Sequence, residues 1–179
     1  MADYLIVIDM QQDFIDGSLG TPEAVAIVPN VTAKIRTHLA LGKGPVLFTY
    51  DTHQTDYLKT TEGRKLPVEH CIEGTEGWKL HPEIDALAKQ RDCISFKKPT
   101  FGSKELAAYL ADANDREPIE TIELIGLCTD ICVISNAILI KSFLPETLIR
   151  VDSTCCAGVT PESHENALSA MRMCHIDIL

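Results

Sequence analysis

Thr121-Ile122-Glu123-Leu124-Ile125-Gly126, followed by Leu127-Cys128-Thr129-Asp130-Ile131-Cys132, is a branched apolar run that passes straight into a helical pattern. A run this apolar reads as a strand buried on both faces, and a strand that feeds a helix is half of a βαβ unit. The same alternation repeats outward in both directions. Apolar runs at 4–9, 45–50, 94–97, 147–151 and 175–179 alternate with helical patterns at 24–41, 83–90, 104–113, 130–142 and 161–173. The last helix carries Thr160 as its cap and Pro161 at its first position. This order predicts a single α/β domain over residues 1–179, doubly wound and Rossmann-like, with a six-stranded, mostly parallel sheet.

Composition narrows the function. With 45% apolar and 23% charged residues, the chain has ordinary globular usage and its 179 residues suffice for one full core. Sixteen Lys plus Arg against 26 Asp plus Glu leave a net charge of −10, which disfavours nucleic acid and anionic lipid as partners. The N-terminal apolar run lacks a basic flank and is too short for a signal peptide or a membrane span, and no other stretch is long enough to span. Seven cysteines without an export signal read as free thiols of a reducing cytoplasm. A small molecule is therefore the expected partner.

In an open parallel sheet, ligands bind beyond the carboxyl ends of the strands. The strand tips here are Asp9, Asp51, Lys97-Lys98, the stretch 126–132 and Asp152. Cys132 is the most informative of them, because a cap at Thr129 or Asp130 would place its thiol in the first turn of a helix. Unpaired N–H groups and the helix dipole there favour thiolate and can hold an oxyanion. Lys97 and Lys98 point to opposite faces of their strand, so only one can face the thiol. The Lys98 ammonium would lower the thiol pKa further, and Asp9 would carry the proton between thiol and leaving amine. These groups make up an acyl-transfer set. Two plainer readings stand beside it: Cys132 as a small apolar residue of a buried helix face, and Cys128 with Cys132 as a redox pair.

Residues 51–80 have no clear period and are long for a connection in a compact domain. Their histidines and carboxylates describe an ordered loop stiffened by something other than an apolar core. Asp51-x-His53, Glu62 and His70 suit one divalent ion, Zn²⁺, Mn²⁺ or Fe²⁺, with positions left open for water or substrate. The alternative is that both histidines are ordinary surface residues. His38, His81, His164 and His175 are assigned no role. No Gly-x-Gly-x-x-Gly, Walker motif, Gly-x-Ser-x-Gly elbow or His-Glu-x-x-His occurs, which removes the usual support for dinucleotide, P-loop, serine-hydrolase and zincin chemistry.

Ile8-Asp9-Met10-Gln11-Gln12-Asp13-Phe14, Asp51-Thr52-His53, Lys98-Pro99-Thr100-Phe101-Gly102-Ser103 and Gly126-Leu127-Cys128-Thr129-Asp130-Ile131-Cys132-Val133 together resemble the isochorismatase-like cysteine hydrolases, and among them the nicotinamidases. The resemblance covers nearly the whole chain and extends to the segment from Glu69 to Gly77. It implies Asp9 as proton carrier, Lys98 as the ammonium and Cys132 as the nucleophile. It also implies a cis peptide between Leu127 and Cys128, with the N–H groups of Cys128 and Cys132 as oxyanion hole. Asp51, His53 and His70, with Glu62 as a fourth ligand, are implied to hold the metal, zinc first among the candidates. Phe14 and Trp78 would wall an aromatic substrate. The implied reaction is nicotinamide to nicotinate plus ammonia through a thioester, in a homo-oligomer. The alternatives are a metal-free N-carbamoyl or ureido amidohydrolase, or a non-catalytic metal-binding or thiol-redox protein. Ser135-Asn136-Ala137 departs from the Thr-Ala pair commoner at that place in the family.

Overall fold

Strand alternation decides which side of the sheet each residue serves. In β1 (Ala2–Ile8), Leu5 and Val7 face one core, whereas Ile6 and Ile8 face another. A computed structural model describes residues 2–179 and shows six parallel strands in the order β3-β2-β1-β4-β5-β6. The others are β2 (Val46–Asp51), β3 (Cys93–Lys98), β4 (Ile119–Leu127), β5 (Leu148–Ala157) and the short β6 (Asp177–Ile178). Seven α-helices accompany them: α1 (Gln12–Ile15), α2 (Pro22–Leu41), α3 (Thr61–Lys65), α4 (Pro82–Ala88), α5 (Lys104–Arg116), α6 (Ile134–Phe143) and α7 (Pro161–Met173). α2 and α4 cover the Leu5–Val7 face; α5, α6 and α7 cover the other. The predicted doubly wound α/β domain is therefore what forms, and its sheet is entirely parallel. No described helix is long and apolar enough to cross a membrane.

Caps set the helix ends. Thr21 accepts from the Ala24 N–H ahead of α2, Ser103 from Leu106 ahead of α5, and Thr160 with Ser163 forms a reciprocal box ahead of α7. The peptide between Leu127 and Cys128 is cis. Beside it Gly126 has φ +116, and a Cβ there would sit 2.1 Å from the Ile8 carbonyl oxygen, so β1 and β4 approach at a point only glycine permits.

Three expectations are corrected. β5 runs on to Ala157 rather than stopping at Val151, so Asp152 lies within a strand and is no strand tip. Its carboxylate meets Lys34 of α2 at 2.7 Å and Thr154 Oγ1 at 2.6 Å, which satisfies the polar residues that read as a strand end. Second, the helix over 130–142 begins instead as a π-turn, Thr129–Val133, closed by the Val133 N–H on the Cys128 carbonyl at 3.0 Å. Neither Thr129 nor Asp130 caps it. Thr129 Oγ1 bonds His164 Nδ1 at 2.7 Å and Asp130 accepts the Val159 N–H, partners distant in sequence that outcompete local capping. Third, residues 51–80 contain a 3₁₀ turn (Tyr57–Lys59) and α3.

Candidate active site

The tips of β1, β2 and β3 bring three charges together. Asp9, just past β1, has φ +45, a left-handed conformation that Asp tolerates better than most residues but that still costs about 1–3 kcal/mol. Thr49 of β2 offsets that cost: its hydroxyl accepts the Asp9 N–H and donates to Asp9 Oδ1 at 2.6 Å. Lys98 closes β3 with no solvent exposure, its Nζ lying 2.6 Å from Asp9 Oδ2, 3.4 Å from Asp51 Oδ1 and 3.4 Å from Cys132 Sγ. Asp9 is thus held through both carboxylate oxygens, Oδ1 by Thr49 and Oδ2 by the Lys98 ammonium. Lys97 points the other way, to Glu73 on the surface. Alternation along β3 thus decides between the two lysines, as expected.

Titration in this cluster corrects one expectation. Burial pushes the Cys132 thiol well above its ordinary value; Lys98 pulls it down, yet Asp9 and Asp51 push it back up. Asp9 is also raised, by burial first and then by Asp51, against the pull of Lys98. Burial disfavours the Lys98 charge, but Asp9, Cys132 and Asp51 outweigh it and hold the ammonium charged. Cys128 is pushed up to about 12, chiefly by burial, and all seven cysteines are free. Two thiols with raised pKa give a redox reading little support.

The segment after β2 supplies the second cluster. His53 Nε2 lies 3.0 Å from Asp51 Oδ2 and 3.7 Å from Glu62 Oε1; His70 Nε2 lies 3.5 Å and 3.8 Å from the same two oxygens. One ligand atom from each of the four residues falls within 4.8 Å of all the others. Donors at about 2.0–2.2 Å from a shared ion sit at such separations. The His70 ring supports that fit independently. Its Nδ1 lies 2.8 Å from the Val68 carbonyl, which can only accept, so Nδ1 carries the proton and Nε2 turns a lone pair toward two carboxylates. Only a cation or a second proton relieves that arrangement. Accordingly, although burial lowers the His70 pKa, Asp51 and Val68 raise it on balance, and Asp51 itself is held well below the carboxylate range against its burial, chiefly by both histidines.

The loop is stiffened by rings, not by an apolar core. Fully buried Tyr57 packs 4.7 Å from the His53 ring and 5.0 Å from that of His70, and its hydroxyl donates to Leu66. Two polar residues without an assigned role hold the segment from below. Gln11, fully buried, accepts the Asp51 N–H and donates to the Asp51 and Trp78 carbonyls. Asp13 accepts the N–H of Cys71, whose φ is +47, and so fixes the chain directly after His70. The one signal of either was its place in the Asp9–Phe14 motif, directly after the apolar run from Leu5 to Ile8.

The thiol and three of the four candidate ligands, Asp51, Glu62 and His70, open into one cavity of about 230 Å³. Asp51, Glu62, His70, Cys128, Cys132 and Phe14 line its depth, and Leu19, Leu66, Phe101, Ile131 and Val159 form an apolar mouth. Among the described residues no Lys or Arg lines it. Trp78, expected to wall it with Phe14, does not: it packs against Tyr50, ring centres 5.4 Å apart and planes tilted by 41°, in a separate depression. Tyr50 precedes Asp51 along β2 and so faces the opposite side, and Trp78 goes with it. Phe101 is the second aromatic of the wall.

A thiol, an ammonium and a carboxylate thus gather at one edge of the sheet beside a four-donor pocket, and the Isochorismatase domain model matches residues 3–178 of the chain. The chain belongs to the isochorismatase domain family. Among relatives, this isochorismatase domain is 25% identical to the nicotinamidase/pyrazinamidase of Mycobacterium tuberculosis, over 98% of this chain and 97% of that protein. The solved pyrazinamidase of Pyrococcus horikoshii, in complex with zinc, matches with TM-score 0.82 and 25% identity, covering 100% and 99% of the two chains. The N-carbamoylsarcosine amidase of Thermoplasma acidophilum matches with TM-score 0.78 at the same 25% identity, covering 99% and 95%.

Proposed function

We propose that the protein is a metal-assisted amidohydrolase that converts nicotinamide, or a closely similar neutral heteroaromatic carboxamide, to its acid and ammonia. The observation that carries this reading is the shared cavity, in which Cys132 faces Asp51, Glu62 and His70 across a space without a cation of its own. Similarity to nicotinamidases and pyrazinamidases supports it. The N-carbamoyl and ureido alternative meets an obstacle here. A substrate of that class that bears a carboxylate would find no Lys or Arg at this mouth, while Lys98 is already held between Asp9 and Asp51.

In this reading Asp9 takes the Cys132 proton as sulfur attacks the carboxamide carbon. Lys98 offsets the negative charge that moves onto sulfur and between the two groups. The N–H groups of Cys128 and Cys132 hold the oxyanion. Asp9 returns the proton to the departing nitrogen and ammonia leaves; a water then attacks the thioester with Asp9 as base, releasing the acid and restoring the thiol. Asp51, His53, Glu62 and His70 would hold a divalent ion, zinc first, which when bound would supply Lewis acidity to a ring nitrogen of the substrate. Phe14 and Phe101 bound the ring. The chain is read as cytoplasmic, as its free thiols favour, and as a homo-oligomer, because α6 exposes Ile138 and Phe143 on its outer side.

Ammonia release from nicotinamide and pyrazinamide by untagged protein, together with its metal content by plasma emission, tests the proposal. Expected are turnover and about one divalent ion per chain in the wild type, turnover lost in Cys132→Ala, and the ion lost in the His53→Ala, His70→Ala double variant. Turnover confined to ureido or carbamoyl compounds, and surviving loss of both histidines, would overturn it.

A further inference from the structure

The nucleophile and its ammonium come from different crossovers. Cys132 lies in the turn between β4 and α6, and Lys98 ends β3 ahead of α5, yet Sγ and Nζ lie 3.4 Å apart. We infer that Asn136 is a positioning residue that sets this separation and fixes the Phe101 wall, an inference that rests on the amidohydrolase reading. Its side chain is fully buried and spans both crossovers. Nδ2 donates to the Cys132 carbonyl at 2.8 Å and to the Phe101 carbonyl at 3.0 Å; Oδ1 accepts the Ser103 N–H at 2.9 Å. Ser103 in turn caps α5, so one amide ties the nucleophile's own backbone to the cavity wall and to the start of the next helix.

The loop it holds has little slack. Lys98 Nζ donates to the Thr100 carbonyl at 3.2 Å, so the ammonium and the loop move together. The chemistry singles out asparagine. Two carbonyls need two donated protons and an N–H needs an acceptor, at one point and at this reach. A threonine hydroxyl has one proton and can serve one carbonyl, an aspartate has none to give, and a glutamine is one methylene longer in a closed site. A bond of this kind across a dry contact fixes position as well as energy, and a displacement of about 1 Å at reacting groups costs on the order of a hundredfold in rate.

The test compares wild type with Asn136→Thr and Asn136→Asp. Three readouts are taken: iodoacetamide alkylation of Cys132 located by peptide mass spectrometry without substrate, kcat and KM for nicotinamide, and circular dichroism for fold. The threonine hydroxyl can bond the carbonyl four residues back, so Asn136→Thr keeps the Cys132 tie and loses the Phe101 tie. It is expected to alkylate within about twofold of wild type with KM raised several-fold. Asn136→Asp loses both donated bonds, and slower alkylation together with a kcat lower by about tenfold or more is expected. Alkylation, kcat and KM all within about twofold of wild type in folded variants, or a loss of thermal stability alone, would overturn the inference. Should the Asp variant fail to fold, the KM-against-alkylation split of the Thr variant decides. A wild type without amide turnover would refute the amidohydrolase reading, while the alkylation comparison would still judge whether Asn136 sets the thiol's surroundings.

Discussion

Lys98 shows how one side chain reconciles groups that could not otherwise share a dry space. It faces two carboxylates and a thiol with no solvent to screen them. Removing it leaves Asp9 and Asp51 uncompensated, and breaking a buried pair by deleting one partner costs about 3–5 kcal/mol. Lys98→Ala is therefore expected to lower the thermal midpoint and abolish amide turnover, and Lys98→Met, which keeps the volume, should abolish turnover as well. Lys97→Ala should leave turnover as in wild type, since its ammonium meets Glu73 and the outer face of Trp78. Ammonia assay and calorimetry on the three variants check this; turnover lost on the Lys97 change and kept on both Lys98 changes would refute the register. That only one of the two lysines could face the thiol was legible because strand alternation is local; that it is Lys98 was implied by the family resemblance. Thr49, Gln11 and Asn136 were not legible as participants, since each acts on backbone or side-chain groups contributed by other elements, which no spacing encodes.

Among the elements, strands buried on both faces announced themselves and the junctions did not. β1, β2 and β4 are apolar throughout most of their length, whereas β5 carries Asp152, Ser153 and Thr154, whose polarity reads as an ending until Lys34 of α2 is seen opposite. The turn holding Cys132 offered two good capping residues, but His164 and Val159 had prior claim on both. The long segment after β2 was legible as ordered through its histidines; that Tyr57 wedges them in place was not. The β1–β4 contact is the least forgiving junction. Gly126→Ala would place a methyl 2.1 Å from the Ile8 carbonyl at a φ of +116. Because that overlap is with backbone, relief requires separating the two central strands directly under Asp9. The variant is expected to be destabilised by about 3 kcal/mol or more, or to accumulate insoluble, as urea unfolding and expression yield would show. An Ala variant with wild-type stability would mean the strands are farther apart than described.

The whole molecule is acidic, and its response to pH follows from which carboxylates are held. Asp152 is a case free of the active site: burial pushes its carboxyl up, but Lys34 and Thr154 outweigh that and leave it below the ordinary carboxylate value. A depressed carboxyl stabilises the fold fully above its unfolded pKa and loses that contribution as pH falls through the folded one. The stability gap between wild type and Asp152→Asn is therefore expected to be level from about pH 5 to 8 and to close below about pH 4. Urea titrations of both proteins across that range measure it; a gap that widens on acidification would contradict the assignment. At this scale the cavity has one further consequence. Its reacting atoms stand on strand tips and in the turn after β4, while the mouth residues Leu19, Leu66 and Val159 are drawn from connections that carry none of them, two of the three well exposed. Heritable change at the mouth can accumulate one connection at a time without disturbing the tips. A lineage built on this plan can shift its diet of amides by degrees and remain an active catalyst at every generation.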